Sequence, residues 1–248
     1  MSFAPKNMLI LDSVDSTNNY AMALIQKREI DSEIAVFAKE QTHGKGRRGK
    51  QWISNKAENI MMSVVVPMQW LSVSRQFELS VAVALSCYDL FQKYILANLF
   101  IKWPNDIFIN DSKAGGILIE NVIKGKIWQW SVIGMGLNIN QEKFEEGILK
   151  ATSLKLATDK QYHVIKLAAE LHSSLLKRIE ELKAGNFKKM LEEYNDHLYA
   201  RGKMVKLKMQ NKFFETKIVA VSSSGELIPH DLVERKFVFD DVEFKGLV

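Results

Sequence analysis

Apolar residues cluster in short runs at three places in the first third of the chain. The runs at 8–11, 34–39 and 59–66 are four to eight residues long, which is the usual length of a buried strand. Pro67 follows the third run and predicts its end, because proline lacks the amide that a sheet ladder needs. These patterns predict three strands before residue 70.

Longer stretches have the spacing of an amphipathic helix. Residues 76–96, 161–183 and 186–199 predict three helices. A shorter helix is predicted after Asp15, where hydroxyl and carboxyl side chains suited to an N-cap precede apolar residues at helical spacing. The apolar stripe of the longest helix consists of Phe77, Val81, Ala84, Leu85, Tyr88 and Phe91.

Further strands are predicted in the middle of the chain and at its end. Residues 99–140 contain β-rich segments joined by turns, and short alternating strands follow Gly202. We therefore predict an α+β domain over residues 1–200 and a small β-barrel domain over residues 201–248.

Composition narrows the function classes only a little. The 248 residues include 34 basic and 29 acidic side chains, and this net charge of +5 does not by itself require a nucleic-acid partner. One cysteine, Cys87, lies in an apolar run, which excludes a disulfide framework and fits a reducing compartment. No segment reaches the roughly 18 apolar residues of a membrane span, and the start does not resemble a secretion signal. A soluble cytoplasmic protein is predicted.

One loop concentrates positive charge on a flexible backbone. Residues 44–52, GKGRRGKQW, contain three glycines and four basic residues and end on Trp52. Glycine-rich basic loops bind anions, and phosphate is the obvious ligand. The loop lacks the ending of a P-loop and does not lead into a helix as a dinucleotide-binding loop does. A solvated basic turn is an equally good interpretation of this loop alone.

Three other clusters suggest chemistry, and each also has a structural interpretation. The segment KWPND, 102–106, presents a lysine, an amide and a carboxylate at a strand end. Lys113 precedes two glycines and an apolar strand, and Asn138 lies in the glycine-containing segment 134–140. The alternatives are a structural turn, a surface lysine and a bulge with a capping asparagine.

Taken together and in this order, the segments DSTN, GKGRRGKQW, KWPND, KAGGILIE and GMGLNIN resemble the biotin–protein ligase family. The resemblance extends from about Leu9 to the end of the chain. It implies a catalytic domain like those of class II synthetases, with a mixed, mostly antiparallel sheet and flanking helices, followed by an SH3-like barrel. Two departures are mild: Lys45 replaces the usual arginine, and the segment 114–116 has one glycine more than the common form.

The resemblance implies a reaction in two steps. Biotin and ATP form biotinyl-5′-AMP, and a lysine of the biotin carboxyl carrier protein of a carboxylase then takes the biotin. The first step joins two anions, so fixed cations and Mg²⁺ on the triphosphate are expected, without a metal site on the protein.

The resemblance also assigns residues to roles. The candidates for catalysis are Arg47, Lys113, Lys102 and Asp106. The candidates for biotin binding are Ser16, Thr17, Asn18, Gln41, Lys45, Gly46, Arg47, Lys113, Gly115 and Gly116. The candidates for ATP or adenylate binding are Arg47, Arg48, Trp52, Asn105, Lys113 and Asn138. Helix capping is the alternative role of Ser16 and Thr17.

Several alternatives stay open. A lipoate or octanoyl ligase would share the fold, and a nucleic-acid-binding regulator or an inactive homologue used as a binding module are the rivals from other classes. Too few residues precede the first strand for a helix-turn-helix module, so a monofunctional ligase without specific DNA binding is expected. A homodimer is neither predicted nor excluded.

Overall fold

A seven-stranded sheet is the centre of the fold. The structure, a computed structural model, describes residues 7–145, 150–230, 236–238 and 241–248. The sheet has the strand order β1-β2-β3-β7-β6-β5-β4, in which β1 and β2 are parallel and the other pairs are antiparallel. Its strands are β1 (Met8–Leu11), β2 (Ile34–Ala38), β3 (Ile60–Pro67), β4 (Leu99–Lys102), β5 (Asp106–Ile109), β6 (Ser112–Lys124) and β7 (Ile127–Leu137). The predicted mixed, mostly antiparallel α+β fold is confirmed.

The predicted helices are present, with shorter ends. They are α1 (Thr17–Gln26), α2 (Gln76–Gln92), α4 (Val164–Lys183) and α5 (Phe187–Asp196), and the short α3 (Leu154–Thr158) was not predicted. Helix α2 ends four residues before the predicted Leu96, which is almost fully exposed. Nearly all residues from Glu78 to Phe91 are buried, and they cover every face of α2. The helix therefore lies deeper in the core than its predicted apolar stripe indicates.

Strand β3 shows how the sheet separates two apolar layers. Ile60, Met62 and Val64 belong to the large core that includes α2 and α4, whereas Val65 packs in a smaller core with residues of α1. This alternation follows from the period of two residues along a strand. Ser63 therefore lies on the α1 side of the sheet, among the residues at the start of that helix.

The predicted C-terminal barrel is not confirmed. The described residues between Met204 and Leu247 form an open four-stranded antiparallel sheet, the C-terminal sheet, in the order β10-β9-β8-β11. Its strands are β8 (Met204–Met209), β9 (Lys212–Val221), β10 (Leu227–His230) and β11 (Glu243–Leu247). The strand predicted over residues 234–245 falls partly outside the described residues.

The C-terminal sheet shares its core with the rest of the chain. Leu207, Ile218 and Leu227 are buried in the same apolar cluster as the residues of α2 and the large sheet. The division into domains at residues 200 and 201 stays a prediction.

Two further expectations concern Cys87 and membrane-spanning helices. Cys87 on α2 is fully buried, and burial raises the pKa of its thiol to about 12, so it behaves as a small core residue. In the described part of the chain, no helix is both long and apolar enough to cross a membrane.

Candidate functional site

A cavity of about 840 Å³ lies between the start of α1, the basic loop, the β4–β5 hairpin, strands β6 and β7, and the C-terminal sheet. All the predicted site residues except Gly115 line this cavity. Gly115 instead faces Leu137, whose side chain lies 2.4 Å from the position that a Cβ would take. Alternation along β6 turns Gly116 toward the cavity and Gly115 away from it.

One end of the cavity is a buried network of neutral polar groups. Gln41 Oε1 accepts a hydrogen bond from the Thr17 amide at 2.7 Å and lies 3.0 Å from Thr17 Oγ1. Ser63 Oγ lies 2.7 Å from Thr17 Oγ1 and 2.6 Å from Asn18 Oδ1. Gln41 therefore does the N-capping that the sequence suggested for Ser16, which makes no side-chain capping bond.

This network has fewer donor hydrogens than oxygen–oxygen contacts. Four oxygens lie in a row, from Asn18 Oδ1 through the Ser63 and Thr17 hydroxyls to Gln41 Oε1, and make three close contacts. Both ends are amide oxygens that only accept, and the two hydroxyls supply one hydrogen each. One contact therefore lacks a hydrogen, and the row has spare acceptor capacity for a ligand N–H group.

Glu120 on β6 fixes the orientation of this end. Asn18 Nδ2 donates to Glu120 Oε2 at 2.7 Å, and Lys45 Nζ lies 3.9 Å from Glu120 Oε1. Since a carboxylate only accepts, the Asn18 oxygen must point toward Ser63. Sequence reasoning missed both Ser63 and Glu120. The signal for Ser63 was a single hydroxyl inside an otherwise apolar strand, which a buried strand tolerates only when the hydroxyl has partners.

Glycines on β7 make room for the cavity wall. A Cβ on Gly134 would lie 2.3 Å from Asn18 Oδ1, and a Cβ on Gly136 would lie 2.6 Å from Trp52 Cε2. Asn18 and Trp52 can therefore lie directly against the strand only because these two positions lack side chains.

The basic loop is a closed hairpin in this structure. Lys45 and Gln51 form a bridge, the Gly46 amide donates to the Lys50 oxygen at 2.7 Å, and the Trp52 amide donates to the Gly44 oxygen at 2.9 Å. A short 3₁₀ turn, Arg47–Gly49, forms its tip. These bonds place the two arginines of the tip and the Trp52 indole along the same cavity.

The KWPND segment forms the turn between β4 and β5. Lys102 and Asp106 are paired across this hairpin, and Asp106 Oδ1 lies 2.7 Å from Lys113 Nζ on β6. Burial lowers the pKa of the Lys102 ammonium to about 8, against the attraction of Asp106. The turn thus places Lys102 and Asp106 near Lys113 of β6, and these two lysines and one carboxylate define the cationic end of the cavity.

Two predicted adenylate residues also have structural bonds. Asn105 Nδ2 donates to the Ile117 oxygen at 2.8 Å, and Asn138 Nδ2 donates to the Thr152 oxygen at 3.0 Å. Their amide groups hold neighbouring segments together at the cavity wall. Their roles in adenylate binding stay predictions.

The fold and the cavity place this chain in a defined class. The chain superposes on the biotin protein ligase from Aquifex aeolicus in complex with biotin and ATP with a TM-score of 0.83, covering 98% of this chain and 100% of that one at 22% identity. At this identity the match establishes the fold.

The family follows from the sequence. The model of the biotin/lipoate A/B protein ligase family matches residues 10–138, and the chain belongs to that family. It is 35% identical over 132 residues to the biotin–[acetyl-CoA-carboxylase] ligase of Paracoccus denitrificans, covering 52% of this chain and 53% of that one. It is 30% identical over 143 residues to the bifunctional ligase/repressor BirA of Escherichia coli, covering 58% and 44%. The chain spans about half the length of the curated relatives it matches.

Proposed function

We propose that this chain activates biotin with ATP to biotinyl-5′-AMP and transfers the biotin to a lysine of a biotin carboxyl carrier protein. The observation that supports this most is the presence of two different ends in one cavity. A buried row of neutral oxygens with spare acceptor capacity lies at one end, and Lys102 and Lys113 lie with Asp106 at the other.

The neutral end suits a ureido ring. Such a ring offers N–H donors and a carbonyl acceptor, and an N–H directed at the row of oxygens uses its spare acceptor capacity. A lipoyl or octanoyl group offers no N–H donor and would leave this acceptor capacity unused. The network therefore favours biotin over the acids used by other ligases of this fold.

The cationic end suits the first reaction step. A carboxylate oxygen of biotin attacks the α-phosphorus of ATP, the bond to the β-phosphate oxygen breaks, and pyrophosphate leaves. Carboxylate and triphosphate repel each other, so Arg47, Arg48 and Lys113 lower the barrier by placing positive charge where the two anions meet. Asp106 holds Lys113 in place before the substrates arrive.

The second step needs a protected anhydride. The amine of the acceptor lysine attacks the biotinyl carbonyl carbon, and AMP leaves with the electron pair of the broken C–O bond. Trp52, which lies against Gly136 and near Lys113, covers the adenylate side of the cavity and limits the access of water.

Mg²⁺ would enter with the triphosphate and supply charge neutralisation there. Among the described residues, no group of three or more His, Cys, Asp or Glu side chains is placed to hold a metal ion. We also propose that the acceptor is a subunit of a biotin-dependent carboxylase. We further propose that the C-terminal region as a whole has an SH3-like barrel fold. The absence of specific DNA binding stays a prediction, and the oligomeric state is left open.

The test is to mix the protein with ATP, Mg²⁺ and biotin and to search for biotinyl-5′-AMP by mass spectrometry. Parallel reactions contain lipoate or octanoate, and Lys113→Ala is the control protein. We expect the adenylate and ATP–pyrophosphate exchange with biotin alone. Exchange that is faster with lipoate or octanoate would refute the proposed substrate.

A further inference from the structure

The Lys102 ammonium lies in a box of aromatic rings. Its Nζ is 4.4 Å from the centroid of the Phe108 ring, 4.4 Å from that of Phe244 and 5.8 Å from that of Tyr199. Lys102 is 8% exposed, yet it still lines the cavity. At these distances the ring faces attract a cation, and the attraction is larger where water is excluded.

The three rings come from separate parts of the chain. Phe108 lies on β5, in the same hairpin as Lys102, and Tyr199 follows α5 in a segment that runs alongside β4. Phe244 lies on β11 of the C-terminal sheet and contacts the Tyr199 ring at 5.7 Å. Alternation along β11 exposes Glu243 and Lys245 and turns Phe244 inward. The C-terminal sheet thus closes the box.

The next residue of the motif also contacts the C-terminal sheet. Trp103 Nε1 donates to the Gly225 oxygen at 3.0 Å. Gly225, in the turn between β9 and β10, has φ +93° and lies so close to Phe77 that a Cβ would be 2.7 Å from that ring. Two consecutive residues of KWPND therefore seat the C-terminal sheet on the reaction cavity.

We propose that Phe244 is a positioning residue whose ring, with those of Phe108 and Tyr199, holds the Lys102 ammonium at the cavity wall, so that the C-terminal sheet completes the reaction site. This inference rests on the proposed function, in which Lys102 adds to the charge that stabilises the reacting phosphate. Phe244 acts through Lys102 and not on the substrate.

The matched control is on the same sheet. Phe213 is also a phenylalanine near two lysine ammoniums, 5.3 Å from Lys206 Nζ and 6.0 Å from Lys208 Nζ, but it is 58% exposed and lies outside the cavity. Phe244→Leu and Phe213→Leu each remove one phenyl ring from the C-terminal sheet. Only the first removes a ring from Lys102.

The first experiment is a double-mutant cycle on biotin-dependent ATP–pyrophosphate exchange. We expect Phe244→Leu to lower kcat about tenfold. Phe244→Tyr, which keeps an aromatic ring, should retain most of the parent kcat, and Phe213→Leu should leave kcat unchanged. In a Lys102→Met background, Phe244→Leu should cause no further loss. The proposal is wrong if Phe244→Leu is as active as the parent protein, if Phe213→Leu loses as much, or if the loss persists in the Lys102→Met background.

The second experiment needs no activity. Lysine labelled with ¹³C at the ε carbon gives one NMR signal per lysine, and Lys102→Arg identifies the signal of Lys102. Rings at this distance should displace that signal from those of exposed lysines, and Phe244→Leu should move it toward them, whereas Phe213→Leu should not. A displaced signal without biotin-dependent exchange would refute the proposed function but not the ring box. Exchange without a displaced signal would refute the ring box.

Discussion

Two glycines on β7 allow the two ends of the cavity to be tested separately. Adding one methyl group at Gly134 places it 2.3 Å from Asn18 Oδ1, and adding one at Gly136 places it 2.6 Å from Trp52 Cε2. Each neighbour must then retreat by roughly 1 Å to reach a normal van der Waals separation. The perturbation is the same, but its neighbours belong to opposite ends of the site.

The expected magnitudes follow from what each neighbour loses. Moving Asn18 breaks its 2.6 Å contact with Ser63 and its 2.7 Å bond to the Glu120 carboxylate. One neutral and one charged hydrogen bond are together worth about 2–4 kcal/mol. Gly134→Ala should therefore lower the free energy of unfolding by about 2–4 kcal/mol, and it should weaken biotin binding because Asn18 is displaced from the row of oxygens. Moving the Trp52 indole mainly costs packing, about 1–3 kcal/mol, and Gly136→Ala should impair adenylate formation more than biotin binding.

Calorimetric titration with biotin and pyrophosphate exchange at varied ATP separate the two effects. Thermal unfolding of both variants shows whether the fold is intact. A folded Gly134→Ala protein that binds biotin as tightly as the parent would contradict this prediction, and so would an equal loss of biotin binding in both variants.

Three further predictions concern the cationic end. Lys113→Ala and Arg47→Ala should each lower the rate of pyrophosphate exchange by about two to three decades, since a charge-assisted contact to a developing phosphate charge is worth about 2–4 kcal/mol. Melting temperatures near that of the parent would exclude unfolding as the cause. Near-normal exchange would refute the assigned roles. The loop 44–50 should become resistant to proteolysis and hydrogen exchange when biotin and ATP bind, because an anion relieves the repulsion among its cations; unchanged protection would contradict this. Folding lowers the pKa of Lys102 from 10.5 to about 8, so between these values the unfolded chain binds more protons and stability from this residue should rise with pH. Denaturant titrations of the parent and Lys102→Met across pH 8–10.5 test the sign, and a parent curve that falls relative to the variant would contradict it.

Much of the fold could be predicted from local patterns. Strand β1 begins and ends where the apolar run does, β2 ends one residue before its prediction, and β3 is shifted by one residue at both ends. Such runs are informative in β2 and β3 because a strand buried on both faces contains few polar residues. In β1 the run is apolar although Leu9 and Ile10 are exposed. The end of α2 was less predictable, since apolar residues continue beyond Gln92 and the end of the helix depends on packing.

The candidate site was predictable where its residues are unusual in type and spacing. The basic loop, KWPND and Lys113 stand out in one dimension, and the cavity contains all three. The orientation of individual residues was not predictable. Gly115 and Gly116 are adjacent in sequence, but the pleat of β6 turns only Gly116 toward the cavity.

Residue type and spacing over a few positions were enough to predict most of the strands and helices, the family and most of the reactive side chains. Tertiary structure alone decided which distant groups meet: Ser63 with Asn18, Glu120 with Asn18, Asp106 with Lys113, and Phe244 with Lys102. These pairs are separated by 7 to 142 residues in the chain, and local propensity contains no term for such contacts. Strand pairing and the docking of the C-terminal sheet bring them together, because burying the shared apolar core fixes the register and orientation of every element that presents them.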